Sequence, residues 1–247
     1  MSDTADHALS IASRLSQSLG GLSFAAPVEY VYNPLEYAWG VHAAYLGRYA
    51  AGRKRVLFLG MNPGPWGMSQ TGIPFGDVSS VRDWLGLERA VAKPAVEHPK
   101  RPVSGFRCPR GEVSGRRLWG LFAERFGSPE RFFHDSIVLN YCPLLFLEAS
   151  GRNRTPDKLP TVERQPLTDR CDAALLEYLA LFRPAYTVGV GAFAERCLSR
   201  VVPHSEINAA VVRVLHPSPA SPRANRGWAE EATSTLVSAG VWSAQSP

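Results

Sequence analysis

Four short apolar runs punctuate this chain of 247 residues: Val56-Leu-Phe-Leu-Gly60, Ser136-Ile-Val-Leu-Asn140, Ala185-Tyr-Thr-Val-Gly-Val-Gly191 and Ala209-Ala-Val-Val-Arg-Val-Leu215. Near-continuous apolar strands of this kind are those buried on both faces. Helical periodicity fills the intervals, over 78–85, about 115–126, 169–182, 193 to about 201, and from about 221 or 228 to 239. The alternation predicts an α/β fold, three-layer α/β/α, with a central four-stranded, mostly parallel sheet. Right-handed crossovers then bring the carboxyl ends of all strands to one edge, where ligands bind. Asn62, Asn140 and His216 sit at or just beyond strand ends, so the three are expected to face one cleft.

The segment 60–87 after the first strand is dense in Gly and Pro, so its backbone is held in turns that shape a pocket. Prolines 63, 65, 217, 219 and 222 stiffen the surroundings of Asn62 and His216. Earlier in the chain, Leu9, Ala12, Leu15 and Leu19 recur at helical spacing before Gly20-Gly21. Residues 1–25 are expected as a helical appendage and 26–247 as a single domain. Asn33-Pro34 carries the cap and first-position signature of a helix reaching Tyr49, on which His42 is expected as a satisfied core side chain. Residues 92–117 are proline-rich, basic and aperiodic, a long surface excursion of the kind that carries function.

Hydrophobic residues at 45% and charged residues at 20% are ordinary globular values. No apolar run approaches the roughly 20 residues of a membrane helix, and the N-terminus lacks the pattern of a secretory signal. A cytoplasmic or nucleoid protein without a membrane partner is expected. Cys108, Cys142, Cys171 and Cys197 occur singly, so neither structural zinc nor an iron-sulfur cluster is expected, and no cofactor. The net charge is +5, with lysine only at positions 54, 93, 100 and 158, and arginines cluster in loops. Such clustering suits a surface that tracks phosphates.

The cleft lacks a phosphate loop, a nucleophile elbow and paired carboxylates at the strand ends, and Asp77 is the nearest acid in sequence. An Asn can orient a water, and a His can donate a hydrogen bond to an oxygen that becomes negative. Cleavage of a pyrimidine N-glycosidic bond fits that equipment. Three readings remain open on the residues alone: a glycosylase acting on DNA, a weakly catalytic module that binds damaged or single-stranded DNA, and a glycosidase acting on free nucleosides.

The segments GMNPGPWGMSQTGIPFG and HPSPASPRANRGW resemble the paired active-site motifs of the single-strand-selective monofunctional uracil-DNA glycosylases, a branch of the uracil-DNA glycosylase superfamily. The likeness continues through NPLEYAW, VSSVRDWLGL, EHPKRPV, EVSGRR, NYCPLLFL and SGRNRTP. It implies a uracil-DNA glycosylase-like domain that removes uracil, and 5-hydroxymethyluracil or other 5-substituted uracils, from single- and double-stranded DNA without strand cleavage. It also implies that Asn62 positions the attacking water and His216 bonds the uracil O2. Phe75 would stack on the flipped base and Asn140 would read its polar edge. Gly60, Met61 and Gly64 would complete the base pocket.

The same resemblance assigns DNA contacts to Gly151, Arg152, Asn153, Arg154 and Thr155, with Arg152 and Arg154 neutralising phosphates. A wedge formed by the segment 217–226 would add Ser218, Pro219, Ala220, Pro222, Arg223 and Asn225. The sequence departs from the family at Trp66, where Phe is frequent, and at Ala220, where a wedge arginine aligns and Arg223 follows three residues later. No lysine falls in the paired active-site motifs, so no Schiff base is expected. A monomer with DNA as its partner is expected.

Overall fold

The computed structural model describes residues 2–244. Helix α1 (Asp3–Leu19) starts at Ser2, whose hydroxyl accepts from the Ala5 amide at 3.3 Å. Ala5, Ala8, Ile11, Ala12, Leu15 and Leu19 lie on one face and are buried in the main core, as three- and four-residue spacing dictates. The helix expected in this segment thus packs its apolar face into the core. A helical period announces an apolar face; it does not say which surface that face covers.

Strand β1 (Val28–Tyr32) leads into α2 (Pro34–Tyr37) and α3 (Trp39–Tyr49). Asn33 caps α2, its Oδ1 accepting from the Leu35 amide at 3.1 Å. The single helix expected there is broken at Ala38, where φ is −111° and ψ is 19°. His42 is a core side chain, 4% exposed, with Nδ1 2.8 Å from the Gly72 carbonyl oxygen.

The central sheet consists of β2 (Val56–Gly60), β3 (Ser136–Asn140), β6 (Tyr186–Val190) and β7 (Ala210–Val214), in the order β3-β2-β6-β7 and parallel throughout. Every residue of β2 is buried, as an apolar run covered on both faces must be. The register sets Gly60 opposite Asn140, which brings two of the predicted site positions side by side. A second sheet joins β1 to β4 (Leu145–Glu148) and β5 (Asn153–Arg154), antiparallel in the order β1-β4-β5. It was not anticipated: β5 has two residues, and β1 and β4 lie far apart in the chain.

The remaining helices are α4 (Met68–Thr71), α5 (Val113–Phe126), α6 (Pro129–Asp135), α7 (Thr161–Phe182), α8 (Ala192–Val201) and α9 (Pro222–Ser238), and 80–84 forms one wide turn of π type. Helix α6 follows the Ser128 cap with Pro129 in its first turn and buries Phe132 and Phe133. Helix α7 begins at Thr161 rather than Asp169 and carries Pro166 within it; a proline near a helix start reads as a boundary from sequence. Helix α9 joins both expected starts through a kink at Gly227, where φ is 153°. The basic excursion is partly folded down, with His98 and Val103 buried.

Candidate active site

At the carboxyl edge of the sheet, the loops after β2, β3 and β7 enclose a cavity of about 380 Å³. Met61, Asn62, Gly64, Phe75, Asn140 and His216 line it together. Gly60 underlies it, and only glycine fits there: a Cβ would stand 2.2 Å from Asn140 Oδ1 and 2.5 Å from Phe75 Cε2. Phe75 adopts φ 53°, a left-handed conformation rare for a bulky residue. Its carbonyl accepts from Trp119 Nε1 at 3.1 Å, and α5 comes so close at Gly115 that a Cβ there would be 2.0 Å from the same oxygen. The Phe75 ring is thus held over the cavity, its centroid 6.1 Å from that of His216 with 41° between the planes.

Two amides have their orientations set by neighbours. Asn62 donates through Nδ2 to the Leu144 carbonyl at 3.1 Å, which leaves Oδ1 as its free acceptor. Asn140 directs Nδ2 to the Met68 sulfur at 3.2 Å, so its Oδ1 faces Gly60. This side chain carries both a donor and an acceptor at the cavity. Burial lowers the His216 pKa to about 4, so near pH 7 the imidazole is neutral and still donates one N–H. Gly191 lets it pack closely, since a Cβ there would be 3.1 Å from His216 Cβ.

Three features escaped sequence reasoning. Glu112 lines the cavity and supplies the acid that seemed absent, with its carboxyl pKa raised by burial. Asp77, the acid expected to be nearest, is buried as a structural knot, accepting the Glu112 amide at 2.7 Å and the Ser79 hydroxyl at 2.6 Å. Arg117 reaches from α5 to the loop after His216, donating to the carbonyls of Pro217 at 3.2 Å and Ser218 at 3.4 Å and to Asn225 Oδ1 at 2.9 Å. The EVSGRR segment contains both Glu112 and Arg117, yet as part of the family likeness it gave neither residue a role. Among the described residues, no group of three or more His, Cys, Asp or Glu side chains is placed to hold a metal ion.

The expected DNA-contacting residues divide by position. Asn153, Thr155, Ser218 and Pro219 line the cavity itself. Gly151, at φ 82°, makes the tight turn beside Arg101, and Arg152 is exposed. Arg154 is paired within the protein with Glu148 at 3.0 Å and donates to the Lys158 carbonyl at 2.8 Å, whereas the Arg152 side chain is exposed. Ala220, Pro222 and Asn225 are exposed at the loop tip and the start of α9, where Asn225 Nδ2 donates to the Pro219 carbonyl at 2.9 Å. Arg223 pairs with Glu231 on its own helix at 2.7 Å.

The sequence profile of the family described as the uracil DNA glycosylase superfamily matches residues 46–236. A rat protein named single-strand selective monofunctional uracil-DNA glycosylase is 50% identical over 228 residues, spanning 92% of this chain and 82% of the relative. The bovine protein of that name is 51% identical over 232 residues, spanning 92% of this chain and 84% of the relative. The crystal structure of wild-type SMUG2 from Pedobacter heparinus is similar in fold, with a TM-score of 0.70 at 19% identity, covering 98% of this chain and 100% of that one.

Proposed function

The chain belongs to the uracil-DNA glycosylase superfamily, and from that membership and the geometry of the cleft we propose how it excises its base. It is a monofunctional uracil-DNA glycosylase of DNA repair, a hydrolase that cleaves N-glycosyl bonds and binds DNA as substrate. The observation that carries the mechanistic reading is the convergence of Asn62, Phe75, Asn140 and His216 on one base-sized cavity.

The target nucleotide leaves the stack, at a cost of a few kcal/mol in duplex and less in a single strand. Phe75 stacks on the base, with Gly60, Met61 and Gly64 close against it, and Asn140 pairs with N3–H and O4. As the bond from C1′ to N1 breaks, its electron pair passes to the base, and negative charge collects on O2. The neutral His216 N–H donates to that oxygen. Water held by Asn62 Oδ1 forms the new bond to the cation-like C1′, and its proton leaves to the base or to solvent. No lysine enters the scheme, so an abasic site remains with the strand intact.

Arg152, Asn153 and Thr155 hold the strand on one side of the cavity, and Ser218, Pro219, Ala220, Pro222 and Asn225 present the wedge on the other. Uracil and 5-substituted uracils are the substrates of this reading, in single and double strands. The protein acts as a monomer in the cytoplasm or at the nucleoid. A single-stranded uracil oligonucleotide incubated with excess protein and then treated with alkali should be cleaved at the uracil. An uncut strand rules the reading out.

A further inference from the structure

The stretch 98–110 of the basic excursion has no part in the excision scheme, yet it is fastened to the loop after β2. Gln70, fully buried, donates through Nε2 to the Pro65 carbonyl at 2.9 Å and to the Pro102 carbonyl at 3.0 Å, and its Oε1 accepts from the Ser104 amide at 2.8 Å. Tyr32, also buried, donates its hydroxyl to the Arg101 carbonyl at 3.0 Å. Two buried side chains thereby fix the backbone of a surface stretch that has little regular structure of its own.

What this stretch presents is cationic. The guanidinium carbon of Arg101 lies 5.3 Å from the centre of the Trp66 ring, and that of Arg110 lies 4.6 Å from it. Trp66 stands between Pro65 and Gly67, both of which line the cavity. Arg101 also meets the turn that carries Arg152, since a Cβ on Gly151 would be 3.3 Å from its Cζ. Contacts therefore run from the cavity rim through Trp66 to both arginines, and from Arg101 on to that turn. Arg101 donates through Nη1 to the Lys100 carbonyl at 2.9 Å. Among the described residues neither guanidinium has a carboxylate partner, in contrast to Arg116, Arg154 and Arg223.

We propose that Arg101 and Arg110, braced on Trp66, form a binding subsite of the DNA strand, each taking one backbone phosphate beside the flipped nucleotide. The assignment rests on the excision scheme, which puts the flipped nucleotide in the neighbouring cavity. A guanidinium stacked on a ring keeps its in-plane fork of N–H donors for a phosphate, which it meets through two parallel hydrogen bonds. Indole is the best of the aromatic rings for holding a cation in this way. Because the ring and the anchored backbone place both groups before DNA arrives, less side-chain freedom is lost on binding. Each phosphate neutralised releases counterions, so the subsite has its own signature in the salt dependence of affinity.

The test uses the full chain and single-stranded oligonucleotides carrying one uracil on a 2′-fluorinated sugar, whose fluorine disfavours the cation-like C1′ and keeps the strand intact during titration. The uracil is placed in the middle, near the 5′ end or near the 3′ end, and Kd is measured at several salt concentrations. On the first strand, Arg101→Ala and Arg110→Ala should each reduce the salt slope of log K by about 0.7, and the double variant by about 1.4. Arg110 is exposed, so its variant carries the test alone if Arg101→Ala fails to fold. Trp66→Leu keeps both charges but removes their brace, and should raise Kd by about threefold. Arg53→Ala removes the same charge ahead of β2, at the opposite edge of the sheet, and should leave the slope unchanged. The deficit of the arginine variants should vanish on one of the two shortened strands, the one lacking the nucleotides that reach the subsite. Unchanged slopes, an equal effect of Arg53→Ala, or a deficit that persists on both shortened strands overturns the proposal. So does a loss confined to the single-turnover rate on ordinary uracil, which would make the arginines props of the loop. A wild type that leaves ordinary uracil in place while showing the expected slopes refutes the excision scheme and supports the strand subsite.

Discussion

The Asn62 side chain donates to the main-chain carbonyl of Leu144 across 3.1 Å, so the loop after β2 is tied to the start of β4, in the second sheet. This bond decides which end of the amide faces the cavity. With Nδ2 occupied, Oδ1 is the end left for a water. A catalyst without a strong base depends on such placement, and an ångström of looseness can cost about 100-fold. Asn62→Ala should therefore lower the single-turnover rate on uracil by about 100-fold, while Kd for the same DNA changes little. Quench-flow measurement beside a binding titration checks both, and an unchanged rate would remove Asn62 from the mechanism.

A second prediction concerns acid. Burial lowers His216 and His42 to about 4, whereas histidine in an unfolded chain titrates near 6.5. Between these values the unfolded chain binds more protons than the folded one, so stability rises with pH across the window. The penalty is absent above about 6.5, grows as pH falls, and levels off below about 4. Tm should drop on going from pH 7.5 to pH 5. The single-turnover rate should behave differently, staying flat through 6.5 because His216 keeps its neutral donor form there. A titration of the rate centred at 6.5 would contradict that assignment.

The convergence of Asn62, Asn140 and His216 on one cleft was legible in the sequence because a general rule places strand ends together. Asn62, Asn140 and His216 each sit at or just past an apolar run, and a parallel sheet brings such positions to one edge. Glu112 was not legible, since its place depends on how closely α5 approaches two separate loops. The signals for that approach are glycines whose missing side chains matter only in three dimensions: Gly64, Gly67 and Gly115. The sheet β1-β4-β5 was hidden for a related reason, because its pairings join distant segments and its last strand has two residues. Nor could composition say whether a given arginine faces solvent or a neighbouring carboxylate.

Arg152 and Arg154 illustrate that last point and lead to a third prediction. Arg152 is exposed, whereas Arg154 is half-buried against Glu148 and the Lys158 carbonyl. Arg152→Ala should weaken binding of single-stranded DNA and reduce the salt slope of log K by about 0.7, the contribution of one phosphate contact. Arg154→Ala should leave the slope nearly intact and instead cost roughly 1 to 3 kcal/mol of stability, because Glu148 loses its partner. Affinity at several salt concentrations, beside chemical denaturation, separates the two. Equal slopes for both variants would return Arg154 to the DNA surface.

Arg117 gives the fourth prediction. Its guanidinium bridges α5 to the loop after His216 through the carbonyls of Pro217 and Ser218 and the side chain of Asn225. The planar fork of donors is what permits one side chain to serve all of them, and a lysine ammonium cannot reproduce it. Each hydrogen bond from a charged donor of this kind is worth roughly 1.5 to 3 kcal/mol net. Releasing them frees a loop that carries the wedge at one end and His216 at the other. Arg117→Lys should accordingly lose activity on duplex DNA, where the loop must hold the flipped state open, by about tenfold more than on single strands, where flipping costs less. The comparison is made as single-turnover rates on matched single- and double-stranded uracil substrates. Equal losses on the two would mean that the clamp positions His216 and leaves the wedge unaffected.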